Sequence, residues 1–136
     1  MCTVQEELWT DSTTLQLRFP EMALYHRRKG AQTILYPSAF ASETGKVHWM
    51  PLLTARAIES QSWIIAAAQV GAHNEKRTSW GHSVIISPWG EIKAECGGEQ
   101  QEEPELATAE IDLETVEKVR GQIPWDHRRT DVYPEV

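Results

Sequence analysis

The spacing of apolar residues changes along this chain, and each change marks an element. Residues 1–13 follow neither a helical nor a strand period, and Asp11, Ser12, Thr13 and Thr14 form a polar, turn-like cluster. Leu15, Leu17 and Phe19 then alternate with Gln16 and Arg18, which predicts a short strand. Pro20 and Glu21 open a helix over 20–29. Proline suits a first helical position, Glu21 complements the positive end of the helix, and Arg27, Arg28 and Lys29 complement the negative one. Gly30 supplies a left-handed residue just past the end.

Residues 33–36, ending at Tyr36, form an aliphatic and aromatic run halted by Pro37, which reads as a buried strand. A loop is expected to about Val47. Met50, Leu53, Ala57 and Ile58 then recur at helical spacing, and Pro51 is tolerable only in a first turn, so a helix is predicted over 48–60. Residues 62–69 are a second apolar run. Two such runs joined by a helix imply a parallel crossover. Residues 82–87 and 91–96 flank Ser87-Pro88-Trp89-Gly90, the order of a type I turn, and predict an antiparallel hairpin. An acidic loop at 97–105 leads to a last strand at 107–111. A helix over 113–120 follows, capped by Asp112 and ended by Gly121, and then a tail from Pro124. The expected class is α/β with a mixed sheet.

Composition narrows what such a fold could do. At 136 residues, 40% hydrophobic and 24% charged, the chain is of single-domain size and of globular composition. A net charge of −7 repels phosphate backbones, so no nucleic-acid partner is expected. The longest apolar run, at 63–68, is far below the roughly 20 residues that span a bilayer, so no membrane partner is expected either. Cys2 and Cys96 make no disulfide framework, which fits a reducing setting, the cytoplasm or the mitochondrion. The six tryptophans show no repeat and read as core or interface residues.

The residues carry few motifs of chemistry. Glycine-rich phosphate loops, HExxH and GxSxG are absent, and the five histidines lack metal-ligand spacing, so neither metal nor cofactor is expected. Cys96 reads as a packed thiol. Cys2, exposed by removal of Met1, would place a thiol beside its own amine, a weak parallel to N-terminal nucleophile hydrolases. The Arg18-Phe19-Pro20-Glu21 quartet says more. An arginine and a glutamate across a helix-starting proline can pair, supporting whatever side chain lies about four positions upstream, which is Thr14.

Taken in order, LRFPE at 17–21, LYPSAF at 35–40, HW at 48–49, LLTARAIESQ at 52–61, AAAQ at 66–69, GHSVIISPWG at 81–90, AEIDL at 109–113 and HRRTDVY at 127–133 resemble the carboxyl-terminal half of a nitrilase-superfamily carbon–nitrogen hydrolase. The branch it most resembles is that of the Nit-type amidases, the group containing deaminated glutathione amidase, and the resemblance covers 16–136. It implies part of a four-layer α-β-β-α sandwich, homo- or heterodimerisation through the helices near 20–29 and 48–60, and a small carboxamide substrate such as deaminated glutathione or an ω-amide. It also implies a Glu-Lys-Cys set in which glutamate takes the thiol proton, the thiolate attacks the amide carbon, and lysine with a backbone N–H stabilises the oxyanion.

On the same resemblance, Leu15 (through its N–H), Tyr36, Pro37, Phe40, His48 and Trp49 would bind substrate. Arg18 and Glu21 would support the site, and Ser83 and Gln69 would stitch neighbouring loops. The nucleophile motif Cys-x-x-x-Arg-Phe-Pro-Glu places Thr14 where cysteine belongs, and the family's Glu and Lys have no match in this chain. The expectation is therefore a truncated, catalytically incompetent form with an unmatched leader at 1–15. The alternative is a non-catalytic module that pairs with full-length relatives.

Overall fold

In the computed structural model residues 13–98 and 103–125 are described, residues 13–15 by backbone only. Cys2 and most of the leader, the middle of the acidic loop, and the HRRTDVY segment with His127 lie outside them. The element order is α1 (Thr13–Arg18), α2 (Glu21–Arg28), β1 (Thr33–Leu35), α3 (Ser42–Ser60), β2 (Trp63–Ala66), β3 (Val70–Asn74), β4 (Arg77–Trp80), β5 (Val84–Ile86), β6 (Ile92–Glu95) and α4 (Leu113–Gln122). A four-stranded mixed sheet runs β1-β2-β5-β6, and β3-β4 form a separate hairpin.

The crossover is as expected: β1 pairs with β2 in parallel, with Ile34 beside Ile64, and α3 connects them. β5 pairs antiparallel with β2 and with β6. Between β5 and β6 the Ser87 carbonyl accepts from the Gly90 N–H at 2.9 Å, which closes the turn read from Ser-Pro-Trp-Gly. Strand alternation sorts the sheet into two faces. Ile34, Ile64, Ala66, Val84 and Ile86 turn to one side and pack against Ala23 of α2 and Trp49, Leu53 and Ala57 of α3. Trp63, Ile65, Ile85 and Ala94 turn to the other, against Ala109, Ile111 and Val116. Leu35, on that second face by register, remains 62% exposed.

Four expectations are corrected. Residues 15–19 belong mainly to a helix: α1 buries Leu17 in the core and leaves Phe19 57% exposed, whereas a strand would put both on one face. α3 begins at Ser42 instead of 48, so Pro51 lies deep inside it. The polar SETGK stretch looks like loop, yet Gly45 is there because a Cβ would sit 2.5 Å from Cβ of Trp80, so β4 lies directly on the helix backbone. Pro51 and Val47, whose carbonyl would have received its missing N–H, are both exposed, and water can serve that carbonyl. The strand expected at 107–111 is extended chain with no ladder, and Gly121 lies within α4 instead of ending it. The β3-β4 hairpin was not anticipated.

α2 ends as its sequence predicts, with Gly30 at φ +88° and the Ala31 N–H donating to the His26 carbonyl at 3.0 Å. Asp112 caps α4: Oδ1 accepts from the Glu114 N–H at 2.9 Å and Oδ2 from the Thr115 hydroxyl at 2.8 Å. Two arginines join α4 to the helical layer. Arg120 donates to the Ala31 carbonyl and to the Ser62 hydroxyl, while Arg27 donates to Gln61 Oε1 at 3.1 Å and lies over the Trp125 ring. Gln61, left-handed at φ 49°, also donates from Nε2 to the Ile123 carbonyl at 2.6 Å. Burial lowers the pKa of both arginines, and the charge of Arg27 lowers that of Arg120 further. No helix among the described residues is long and apolar enough to cross a membrane.

Candidate functional site

Four of the candidate residues, Arg18, Phe40, His48 and Trp49, come together where α1, the segment after β1 and the first half of α3 meet. Thr14 and Leu15 lie in the first turn of α1, where N–H groups lack intrahelical acceptors. Four residues after Thr14, Arg18 points away from the helix. Its Nη1 lies 3.1 Å from His48 Nδ1, and its guanidinium sits 4.8 Å above the Phe40 ring. The expected pairing of Arg18 with Glu21 does not form: Glu21 is exposed, and no ion pair joins the two.

Phe40 and Trp49 are both essentially buried, with ring centroids 5.4 Å apart. The Trp49 Nε1–H donates to the His82 carbonyl at 2.8 Å, fixing the indole against the start of β5. His82 is itself held in a left-handed backbone at φ 59°, with its ring stacked on Trp80 and Nδ1 2.8 Å from Glu95 Oε1.

Pro37 interrupts nothing, because the ladder with β2 uses its neighbours. The Tyr36 N–H donates to Ile65 and the Ser38 N–H to Ala67, so residue 37 falls at a position with no hydrogen bond to give. Ser83 stitches the next loop as expected, its Oγ accepting from the Ala68 N–H at 2.9 Å and donating to the Ala68 carbonyl at 3.3 Å. Gln69 contributes through its backbone, with its N–H on the Ser38 carbonyl.

Tyr36 is 2% exposed and its hydroxyl has no hydrogen-bond partner among the described residues. Burial pushes that hydroxyl well above the usual phenol range; Arg56 pulls it partly back and Glu59 adds to the rise. Among the described residues no three His, Cys, Asp or Glu side chains are grouped as metal ligands. A groove of about 400 Å³ lies apart from all these residues, beside α4, with Trp63, Trp89, Glu110 and Lys118 in its wall.

The carbon-nitrogen hydrolase family pattern matches residues 15–121. This chain belongs to that family. It is 50% identical over 118 residues to the nitrilase and fragile histidine triad fusion protein of Drosophila melanogaster, a match covering 86% of this chain and 25% of the fly protein. To bovine deaminated glutathione amidase it is 49% identical over 118 residues, covering 86% of this chain and 35% of the relative. The crystal structure of the Caenorhabditis elegans NitFhit protein superposes with a TM-score of 0.81 at 48% identity, over 88% of this chain and 28% of that one. The chain thus spans between a quarter and about a third of the length of these relatives, and its mixed sheet is part of the nitrilase fold.

Within this carbon–nitrogen hydrolase scaffold, sequence reasoning overlooked Arg56 and Glu59. Arg56 is 4% exposed; Nε and Nη2 donate to the Leu17 carbonyl at 3.2 and 2.8 Å, and Nη1 to Glu59 Oε2 at 3.0 Å. A signal was present, since Trp49, Leu53, Arg56 and Ser60 recur at helical spacing and place one charge within an apolar stripe.

Proposed function

We propose that residues 14–123 form the carboxyl-terminal part of an amidase site for small carboxamides that carry a carboxylate, such as deaminated glutathione, and that these 136 residues alone do not turn such amides over. Thr14 at the nucleophile position carries the second half of the proposal. A threonine hydroxyl is far less acidic than a thiol, and an internal one has no α-amine to activate it, so the attacking step loses most of its rate. The acidic substrate class is supported by Arg18, a cation beside Phe40 and His48 with no acidic partner among the described residues, and by the likeness to deaminated glutathione amidases. Incubating the purified chain with deaminated glutathione and with a simple ω-amide, and assaying ammonia, tests the reading. The expected rate equals that of the blank. Turnover that disappears in Thr14→Ala defeats it.

A second reading is a non-catalytic module that pairs with full-length relatives through α2 and α3. It is favoured by an outward stripe on α3, Val47, Pro51 and Ile58, opposite the core-facing residues, with Val47 62% and Ile58 52% exposed, and by Tyr25 on α2 at 55%. Co-purification with a full-length relative is the expected result. Monomers in sizing chromatography, with no such capture, count against it.

A further inference from the structure

We infer that Arg56 is a positioning residue: its buried guanidinium clamps the carboxyl end of α1 and thereby fixes where the nucleophile position stands relative to the walls formed by Phe40 and Trp49. The inference rests on the reading of residue 14 given above.

A cation in the core-facing stripe of α3 is costly unless its donors are met. Here two of them converge on one acceptor, the Leu17 carbonyl, and a third reaches the half-exposed Glu59 carboxylate, which balances the charge. The Leu17 carbonyl is among the last four of α1, which have no donor within the helix, and it lies at the negative end of the helix dipole. α1 has six residues, too few to persist without tertiary support. Its other anchors include the buried Leu17 side chain and the seat of Arg18 on Phe40. Thr14 precedes Leu17 by less than one helical turn, so a displacement at the clamp is carried to it nearly undiminished.

Hydrogen exchange read by mass spectrometry on the full 136-residue chain, its Arg56→Gln and its Arg56→Lys forms tests this. With both bonds lost, the peptide spanning residues 13–20 exchanges about tenfold faster in Arg56→Gln, whereas peptides from β2 and β5 keep their rates. Lysine, with one ammonium in place of the fork, recovers part of the protection. Equal rates for 13–20 in all three forms overturn the clamp. So does an acceleration shared evenly by β2 and β5, which marks general support of the fold. If Arg56→Gln fails to fold, Arg56→Lys decides alone: faster exchange confined to 13–20 supports the clamp, and wild-type rates there overturn it. Ammonia release plays no part in this readout, so turnover dependent on Thr14 would defeat the functional reading while exchange alone decides the clamp.

Discussion

In Tyr36→Phe the ring stays and the oxygen goes, which isolates the energetics of a hydroxyl buried without a partner. Leaving such a group unsatisfied costs about 1–3 kcal/mol, so its removal should stabilise the fold by about 1 kcal/mol once the small void is allowed for. In a chain of this size that is about 3–4 °C in Tm. The alkaline limb gives an independent check. The folded-state pKa is raised, chiefly by burial, so the contribution is fully present below the ordinary tyrosine pKa of 10.0 and is lost as pH rises above it. There the unfolded chain releases a proton that the folded chain keeps, and stability falls by up to about 1.4 kcal/mol per pH unit from this group. Tyr36→Phe should remove that slope. Urea unfolding followed by tryptophan fluorescence at neutral and alkaline pH measures both effects. A loss of 1 kcal/mol or more at neutral pH, or identical alkaline slopes in the two proteins, would refute the reasoning.

Three further outcomes are expected. Gly45→Ala, which in an ordinary helix interior would gain up to about 1 kcal/mol, should instead cost about 1–3 kcal/mol, because the new Cβ meets the Trp80 side chain at 2.5 Å; thermal melts give the sign. Ser83→Ala should cost about 1–2 kcal/mol by leaving the Ala68 N–H without its acceptor, with faster exchange of that amide as the local signature. Asp112→Ala should reduce the helicity of α4 by circular dichroism. The Asp112 carboxyl is held below its usual range, first by the Thr115 hydroxyl and then by the Glu114 N–H, so the cap is complete above the ordinary carboxylate pKa and is lost as pH falls through the lowered one.

The parts of this fold legible in the sequence are those where local chemistry and burial agree. Gly30 ending α2, Asp112 starting α4 and the Ser87–Gly90 turn each depend on neighbours in sequence, and the apolar run of β2 is buried, whereas in β1 Ile34 is buried and Leu35 is not. The errors occur where a distant residue decides. Gly45 reads as a loop residue until Trp80 is known to press on it, and Pro51 reads as a helix start until its neighbours prove exposed. Three alternating apolar residues, Leu15, Leu17 and Phe19, are too few to separate a strand from one helical turn. At the site, Phe40 and Trp49 do pack together and Ser83 does bind the neighbouring loop. The Arg18–Glu21 pair failed because Phe40 and His48, remote in sequence, offered the guanidinium a better seat.

The joint between α2 and α4 has one more consequence. Arg27 and Arg120 carry like charges into the same partly buried corner, and among the described residues no carboxylate lies within ion-pair distance of either. Most protein surfaces lose attraction when electrolyte is added; this corner loses repulsion, as the screening length contracts from about 10 Å at 0.1 M to about 3 Å at 1 M. α4 should therefore dock more firmly in brine than in dilute buffer.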